Sequence, residues 1–248
     1  MKRIILVLFL LLSVVVLSEE KKNIFNPSNY VICIDPGHQT KGNNELEPIA
    51  PNSKQKKAKV TTGTRGVATK KYESELMLEI GLKLKDSLEK KGYKVIMTRT
   101  INDVNISNVE RALFANKNKA TLYIRLHADG SENKKTYGAS VLTSSPKNKY
   151  TEKTQKESEK FSKILLEEYV KSTGAKNRGV IYRDDLTGTN WAEVTNTLIE
   201  LGFMSNAEED KKLSDEKYQE KIIDGLVNGI EKYLKSNWWK EFKLWVYI

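Results

Sequence analysis

Val31-Ile32-Cys33-Ile34-Asp35-Pro36-Gly37-His38 is an apolar run that ends in a turn and a histidine. Leu122-Tyr123-Ile124-Arg125-Leu126-His127 ends in the only other histidine of the chain. A third run, Leu198-Ile199-Glu200-Leu201-Gly202-Phe203, carries one acid among apolar neighbours. Short apolar runs bounded by turn signals read as buried strands. In open α/β sheets, ligands bind outside the carboxyl ends of the strands. Two imidazoles and a carboxylate delivered to such an edge are the ingredients of a metal-hydrolase site. Taken singly, each histidine is more often an ordinary core residue, so the weight lies on the coincidence of placement.

Between these runs the period changes to that of a helix. Leu76, Ile80, Leu84 and Leu88 recur every four residues, with Met77 widening the stripe, and Gly92 stops the pattern. Ser107 followed by Glu110 has capping-box spacing for a helix to Lys117. Phe161, Leu165 and Tyr169 give residues 151–171 an apolar face, closed by Gly174. Ile222, Leu226 and Ile230 mark a last helix over residues 218–234. Further strands are expected at residues 93–98, 139–142 and 179–182. Such alternation predicts an α/β single domain, a mainly parallel twisted sheet flanked by helices on both faces. Residues 39–71 are polar and lysine-rich and read as a long mobile loop leaving His38.

The chain has 248 residues, 30% of them charged and 39% hydrophobic, enough for one sizeable core. Residues 1–18 have a basic start, an apolar stretch and small residues Val16 and Ser18 at cleavage positions. They read as a signal peptide, or as an uncleaved anchor. Residues 19–29 read as a linker, 30–236 as the catalytic domain and 237–248 as an aromatic tail. An exported protein is expected, with the membrane touched only through an uncleaved leader. Cys33 cannot form an internal disulfide and reads as a small buried hydrophobe. Net charge is +10, or +8 without Lys2 and Arg3 (40 basic against 32 acidic residues). Dispersed lysine favours screened adhesion to anionic polymers. No nucleic-acid-binding signature is present, so nucleic acid is not an expected partner.

A zinc hydrolase needs three protein ligands and an open position for water. His38 and His127 offer two. Glu73, opening the helix after the long loop, is a candidate third, although acids are common in a first helical turn for the macrodipole alone. Glu200 is different: acids are rarely buried unless paired or used. It reads either as a general base or as half of an unidentified salt bridge.

Set in order, Ile34-Asp35-Pro36-Gly37-His38, Tyr72-Glu73-Ser74-Glu75-Leu76, Thr98-Arg99, Glu110-Arg111-Ala112, Leu126-His127-Ala128 and Ile199-Glu200-Leu201-Gly202-Phe203-Met204-Ser205-Asn206 resemble the zinc-dependent N-acetylmuramoyl-L-alanine amidases of bacterial cell walls. The resemblance covers about residues 30–234. It implies Zn²⁺ held by His38, Glu73 and His127, with Glu200 as the catalytic glutamate. It also implies cleavage of the bond between N-acetylmuramic acid and L-alanine of the stem peptide. Peptidoglycan and anionic wall polymers become the expected partners, the cell envelope the expected place, and a monomer the expected state. Arg183 and Arg99 are candidates for holding a stem carboxylate.

The chain also departs from the family pattern. Gln39-Thr40 follows the turn where glycines are common, the 39–71 segment is long, Asp129 stands where asparagine is frequent, and Arg125 where a small residue is common. Two rivals remain: a non-catalytic peptidoglycan-binding module of the same fold, and another exported zinc peptidase. The second is narrowed because no His-Glu-x-x-His motif and no third histidine occur.

Overall fold

The three apolar runs lie side by side in the middle of one six-stranded sheet. The computed structural model describes residues 25–246, with side chains to 238. The expected leader (1–18), much of the expected linker and most aromatic side chains of the tail lie outside the described residues. Strands β1 (Val31–Pro36), β4 (Lys94–Met97), β5 (Leu122–Asp129), β6 (Ala139–Thr143), β7 (Asn177–Tyr182) and β8 (Thr195–Phe203) are ordered β4-β1-β5-β8-β6-β7. All neighbouring pairs are parallel except β6 with β8, so the sheet is mainly parallel with a reversed edge. The helices are α1 (Glu73–Lys90), α2 (Asn108–Lys117), α3 (Gln155–Thr173), α4 (Thr187–Asn190), α5 (Ala207–Leu213) and α6 (Glu216–Val246).

The two faces of the sheet differ. Alternate residues Ile32 and Ile34, Leu122, Ile124 and Leu126, and Ile199 and Leu201 meet α1, α3 and α6 in a large apolar core. The intervening residues Cys33, Asp35, Tyr123 and Arg125 face the side covered by α2 and α4. The apolar cluster there is small and includes Cys33, Ala112, Ala115 and Tyr123. Each strand therefore reads as a continuous apolar run on one side and as apolar residues interrupted by charge on the other.

Local signals place the helix ends. Ser107 accepts from the Glu110 N–H at 3.1 Å and Glu110 accepts from the Ser107 N–H at 2.7 Å, the expected capping box. Gly174 takes φ 71°, the left-handed geometry of a helix stop.

Two expectations change. Residues 39–71 are not one loop: β2 (Asn43–Pro48) and β3 (Lys56–Val60) form an antiparallel hairpin. The segment is also tied to the rest of the domain by hydrogen bonds. Trp191 Nε1 donates to the Pro48 carbonyl at 2.9 Å, and Asn108 Nδ2 to the Lys59 carbonyl at 2.7 Å. Buried Asp210 accepts from the N–H groups of Ala68 and Thr69. Alternation was hidden here because the hairpin carries its polar residues on both faces. The final helix is also longer than its apolar repeat, running from Glu216 to Val246.

Helices α3 and α6 approach closely through two glycines. A Cβ on Gly225 would lie 2.8 Å from Tyr169 Cα, and one on Gly229 would lie 2.9 Å from Leu165 Cα. Gly225→Leu should force the pair apart and cost about 1–3 kcal/mol. At roughly 2–4 °C per kcal/mol for a domain of this size, the loss is readable in a thermal melt. An unchanged melting temperature would show that α3 and α6 do not need this contact.

Candidate active site

At the carboxyl end of β1 the chain must turn sharply beneath His127. A Cβ on Gly37 would sit 2.5 Å from His127 Cε1, so only glycine lets the two strand ends meet. His38 then takes the left-handed conformation at φ 60°. Its strain is held by two buried guanidiniums. Arg99 donates to the carbonyls of Pro36 and Gly37, both at 2.9 Å, and Arg111 donates to those of Pro36 and His38, both at 2.9 Å. His38 Nδ1 faces the Thr61 carbonyl at 2.8 Å. A carbonyl can only accept, so Nδ1 carries the proton and Nε2 presents its lone pair.

Glu73 opens α1 and is 3% exposed. Its Oε1 lies 3.1 Å from His38 Nε2 and 3.0 Å from His127 Nδ1. Backbone N–H groups hold it in place: Ala128 donates to Oε1 at 3.1 Å and Thr64 to Oε2 at 2.9 Å. Gly63, at φ 82°, leaves room for this, since a Cβ there would fall 2.8 Å from both Glu73 Oε2 and His38 Cδ2. Burial alone would raise the Glu73 pKa, but His127 and His38 hold its carboxyl well below the usual range. Burial pushes the His127 imidazole down to about 4, so the ring is neutral at pH 7. One ligand atom from each of His38, Glu73 and His127 falls within a 4.8 Å cluster, a set able to hold a metal ion.

Glu200 pairs with His127 across β5 and β8. Its Oε2 is buried without a hydrogen-bond partner among the described residues. Among the described residues Glu200 forms no salt bridge of the kind weighed from sequence. Burial first, then Glu73 and Asp129, push its pKa well up.

Beneath these groups lies Asp35, fully buried. Its Oδ1 accepts from Thr98 Oγ1 at 2.5 Å and Arg111 Nη1 at 2.8 Å, and its Oδ2 from Tyr123 at 3.0 Å and Arg125 Nε at 3.1 Å. Burial opposes its charge, but Arg111 and Arg125 outweigh it and hold the carboxyl far below its ordinary value.

Residues 32–232 match the Amidase_3 family of N-acetylmuramoyl-L-alanine amidases. The chain belongs to this family. It is 26% identical over 164 residues to the uncharacterized protein YqiI of Bacillus subtilis (strain 168), covering 65% of this chain and 74% of that one. It is 25% identical over 201 residues to the N-acetylmuramoyl-L-alanine amidase AmiC of Escherichia coli O6:H1, covering 66% of this chain and 48% of that one. This chain thus spans about half the length of AmiC. The crystal structure of the amidase Ami1 from Mycobacterium smegmatis superposes with a TM-score of 0.76 at 25% identity, over 86% of this chain and all of that one.

In this member of the family the cluster opens into a cleft of about 380 Å³. His38 and His127 lie at its floor, with Arg125 and Asn108. Lys57, Ala58, Val60 and Thr61 form one wall and Asp185, Leu186 and Thr187 another. The segment after His38 is therefore a wall, as well as the source of Thr61, Gly63 and Thr64 behind the cluster. No sequence signal singled out those three; the glycine between threonines was the available hint. The two candidate arginines fare differently. Arg99 is 3% exposed and its donors go to Pro36, Gly37, Ser74, Ile101 and Asn102, so it is not offered to a substrate. It buries itself to hold the turn. Arg183 is exposed but bound through two nitrogens to Asp185, at 2.7 and 2.9 Å. It reaches the cleft only through that acid, which Lys57 also grips at 2.5 Å.

Replacing Asp35 by asparagine keeps its shape but leaves two buried guanidiniums without a counter-charge. Asp35→Asn should cost about 3–5 kcal/mol at pH 7. A carboxyl with a depressed folded pKa stabilises fully above its unfolded value, about 3.9, and this is lost as pH falls through the folded value. The deficit should accordingly be full at pH 7 and shrink below about pH 4, in urea melts at both pH values. A deficit independent of pH would show that the fold needs the acceptor oxygens of Asp35 and not its charge.

Proposed function

We propose that this chain is a zinc-dependent N-acetylmuramoyl-L-alanine amidase of the cell envelope. The scissile bond joins the lactyl carbonyl of N-acetylmuramic acid to the L-alanine nitrogen of the stem peptide. The observation that carries this reading is the convergence of two imidazoles, at the floor of a cleft, on one carboxylate, with Glu200 on the neighbouring strand and one of its carboxyl oxygens buried and unpartnered among the described residues. Two nitrogen donors and one oxygen donor suit zinc, and three protein ligands leave a position open for chemistry. His38, Glu73 and His127 would hold the ion. When bound, it supplies Lewis acidity, making a water more acidic and drawing electron density from the scissile carbonyl.

The remaining steps belong to the protein. Glu200, whose affinity for a proton is raised by burial and by Glu73 and Asp129, accepts a proton from the attacking water when in its carboxylate form. It then delivers that proton to the departing amine nitrogen, which cannot leave as an anion. Its place one strand from His127 keeps both transfers within reach of one centre. The Thr61 carbonyl keeps His38 in the ligating tautomer, as a partner behind a metal ligand commonly does. AmiC and Ami1, to which the chain is similar, are N-acetylmuramoyl-L-alanine amidases, and the family match covers the region that holds all four residues. Action outside the cytoplasm fits the apolar N-terminal stretch. Among the described residues no helix is long and apolar enough to cross a membrane.

Purified sacculi digested by the protein should release free stem peptides, and a chelator should stop the release. Glu200→Gln should retain about one metal per chain while turnover falls by roughly 10²–10⁴-fold. His38→Ala and His127→Ala should lose the metal. Near wild-type turnover in Glu200→Gln, or full metal retention in either histidine variant, would sink these roles.

A further inference from the structure

Arg125 is built into the cleft floor more rigidly than a structural cation requires. It sits on β5 two residues before His127, on the same face of the strand. Nε is fixed by Asp35 at 3.1 Å and Nη2 by Asn108 Oδ1 at 2.7 Å. Gly188 packs closely against the guanidinium: a Cβ there would fall 2.7 Å from Cζ and 2.8 Å from Nη1. Nη1 donates to no protein acceptor among the described residues, and Arg125 lines the cleft beside His38 and His127. Two arms of the fork are thus spent on orientation, and the third is left without a protein acceptor among the described residues in a side chain that lines the cleft.

The local charge points to what that arm binds. Asp35 is one carboxylate facing two guanidiniums, those of Arg111 and Arg125. The pair in contact with it therefore keeps a net positive charge under the cleft. On the wall, Asp185 is shared by Lys57 and Arg183, again one acid between two cations. Buried charge is costly unless it is paired, and a rigid guanidinium arm matches a carboxylate oxygen well. The strand spacing separates Arg125 and His127 by about 7 Å along β5. That is close to the span from a scissile carbonyl to a carboxyl on the second residue of an extended peptide, about two Cα steps.

We propose that Arg125 is a specificity-determining residue that binds a free carboxylate on the second residue of the stem peptide. This rests on the amidase reading above and names the substrate feature that the cleft selects. Amides of the same residue bring no charge to the guanidinium. Lys57, a cation in the wall of the same cleft, serves as the control.

The test uses two soluble muramoyl-peptides that differ only in a free carboxylate or a carboxamide on the second stem residue. The wild-type, metal-loaded protein should cleave the acid with kcat/KM higher by about tenfold or more. Most of that difference should lie in KM. Arg125→Met should bring the two substrates within about twofold of each other. Gly188→Ala, which displaces the guanidinium without removing its charge, should narrow the gap in the same way and covers the case in which Arg125→Met fails to fold. Lys57→Gln should leave the preference in place. A wild type that cleaves both substrates equally overturns the proposal whatever the variants do. So does a preference that survives in Arg125→Met or follows Lys57→Gln. Cleavage of neither substrate by the wild type would instead refute the amidase reading itself.

Discussion

One buried carboxylate ties the site to the fold. Asp35 takes hydrogen bonds from Thr98 after β4, Arg111 on α2, and Tyr123 and Arg125 on β5. Four donors on three other elements meet at one residue of β1. Arg111 continues from Asp35 to the carbonyls of Pro36 and His38, so the same contact sets the turn that presents the first imidazole. Arg125 continues to Asn108 and lies two residues before the second imidazole. Both histidines are therefore aimed from one charge cluster beneath them.

Such a cluster is a poor source of net stability. Charges removed from water are repaid by their partners only when the geometry is good, and an apolar replacement of equal volume often does as well. Its value here is directional. Packing of apolar side chains tolerates small slips, whereas a carboxylate with four donors does not. The division of the sheet follows from this. The face under α1, α3 and α6 supplies the apolar burial, and the face under α2 and α4 places Asp35, Arg125 and His127. Gly37 and Gly63 complete the placement by absence: at either, a Cβ would enter the space of a site side chain.

Much of this was readable from the chain. Histidines at the ends of two apolar runs, with an acid inside a third, located the site because parallel strands deliver their carboxyl ends to one edge. The i+4 stripes gave the helices, and the Ser107–Glu110 spacing gave a cap. Two things were not readable. The hairpin within residues 43–60 lacks clean alternation, because its strands are half exposed and lean on α2 and α4 through backbone carbonyls rather than apolar faces. The roles of Arg99 and Arg111 were hidden because both bind mainly main-chain carbonyls, which carry no sequence mark. Asp35 with Arg125 was in principle visible. Opposite charges inside two apolar strands must pair if the strands are neighbours, and the register places them directly opposite.

The distribution of the candidate ligands has a further consequence. His38 leaves β1, Glu73 opens α1, and His127 ends β5, while Glu200 comes from β8. Residues 38, 73, 127 and 200 are too far apart in the chain to meet in any locally folded fragment. A cluster within 4.8 Å exists only when the sheet order, the α1 docking and the β1 turn are all in place. A ligand that binds the folded state alone stabilises it by mass action, so occupancy of this centre and the integrity of the whole sheet are one equilibrium. The buried charge beneath the cluster then has a clear place in the design. It holds two of the candidate ligands in place in advance, so that an ion bound at this cluster would not also have to bear the cost of ordering them.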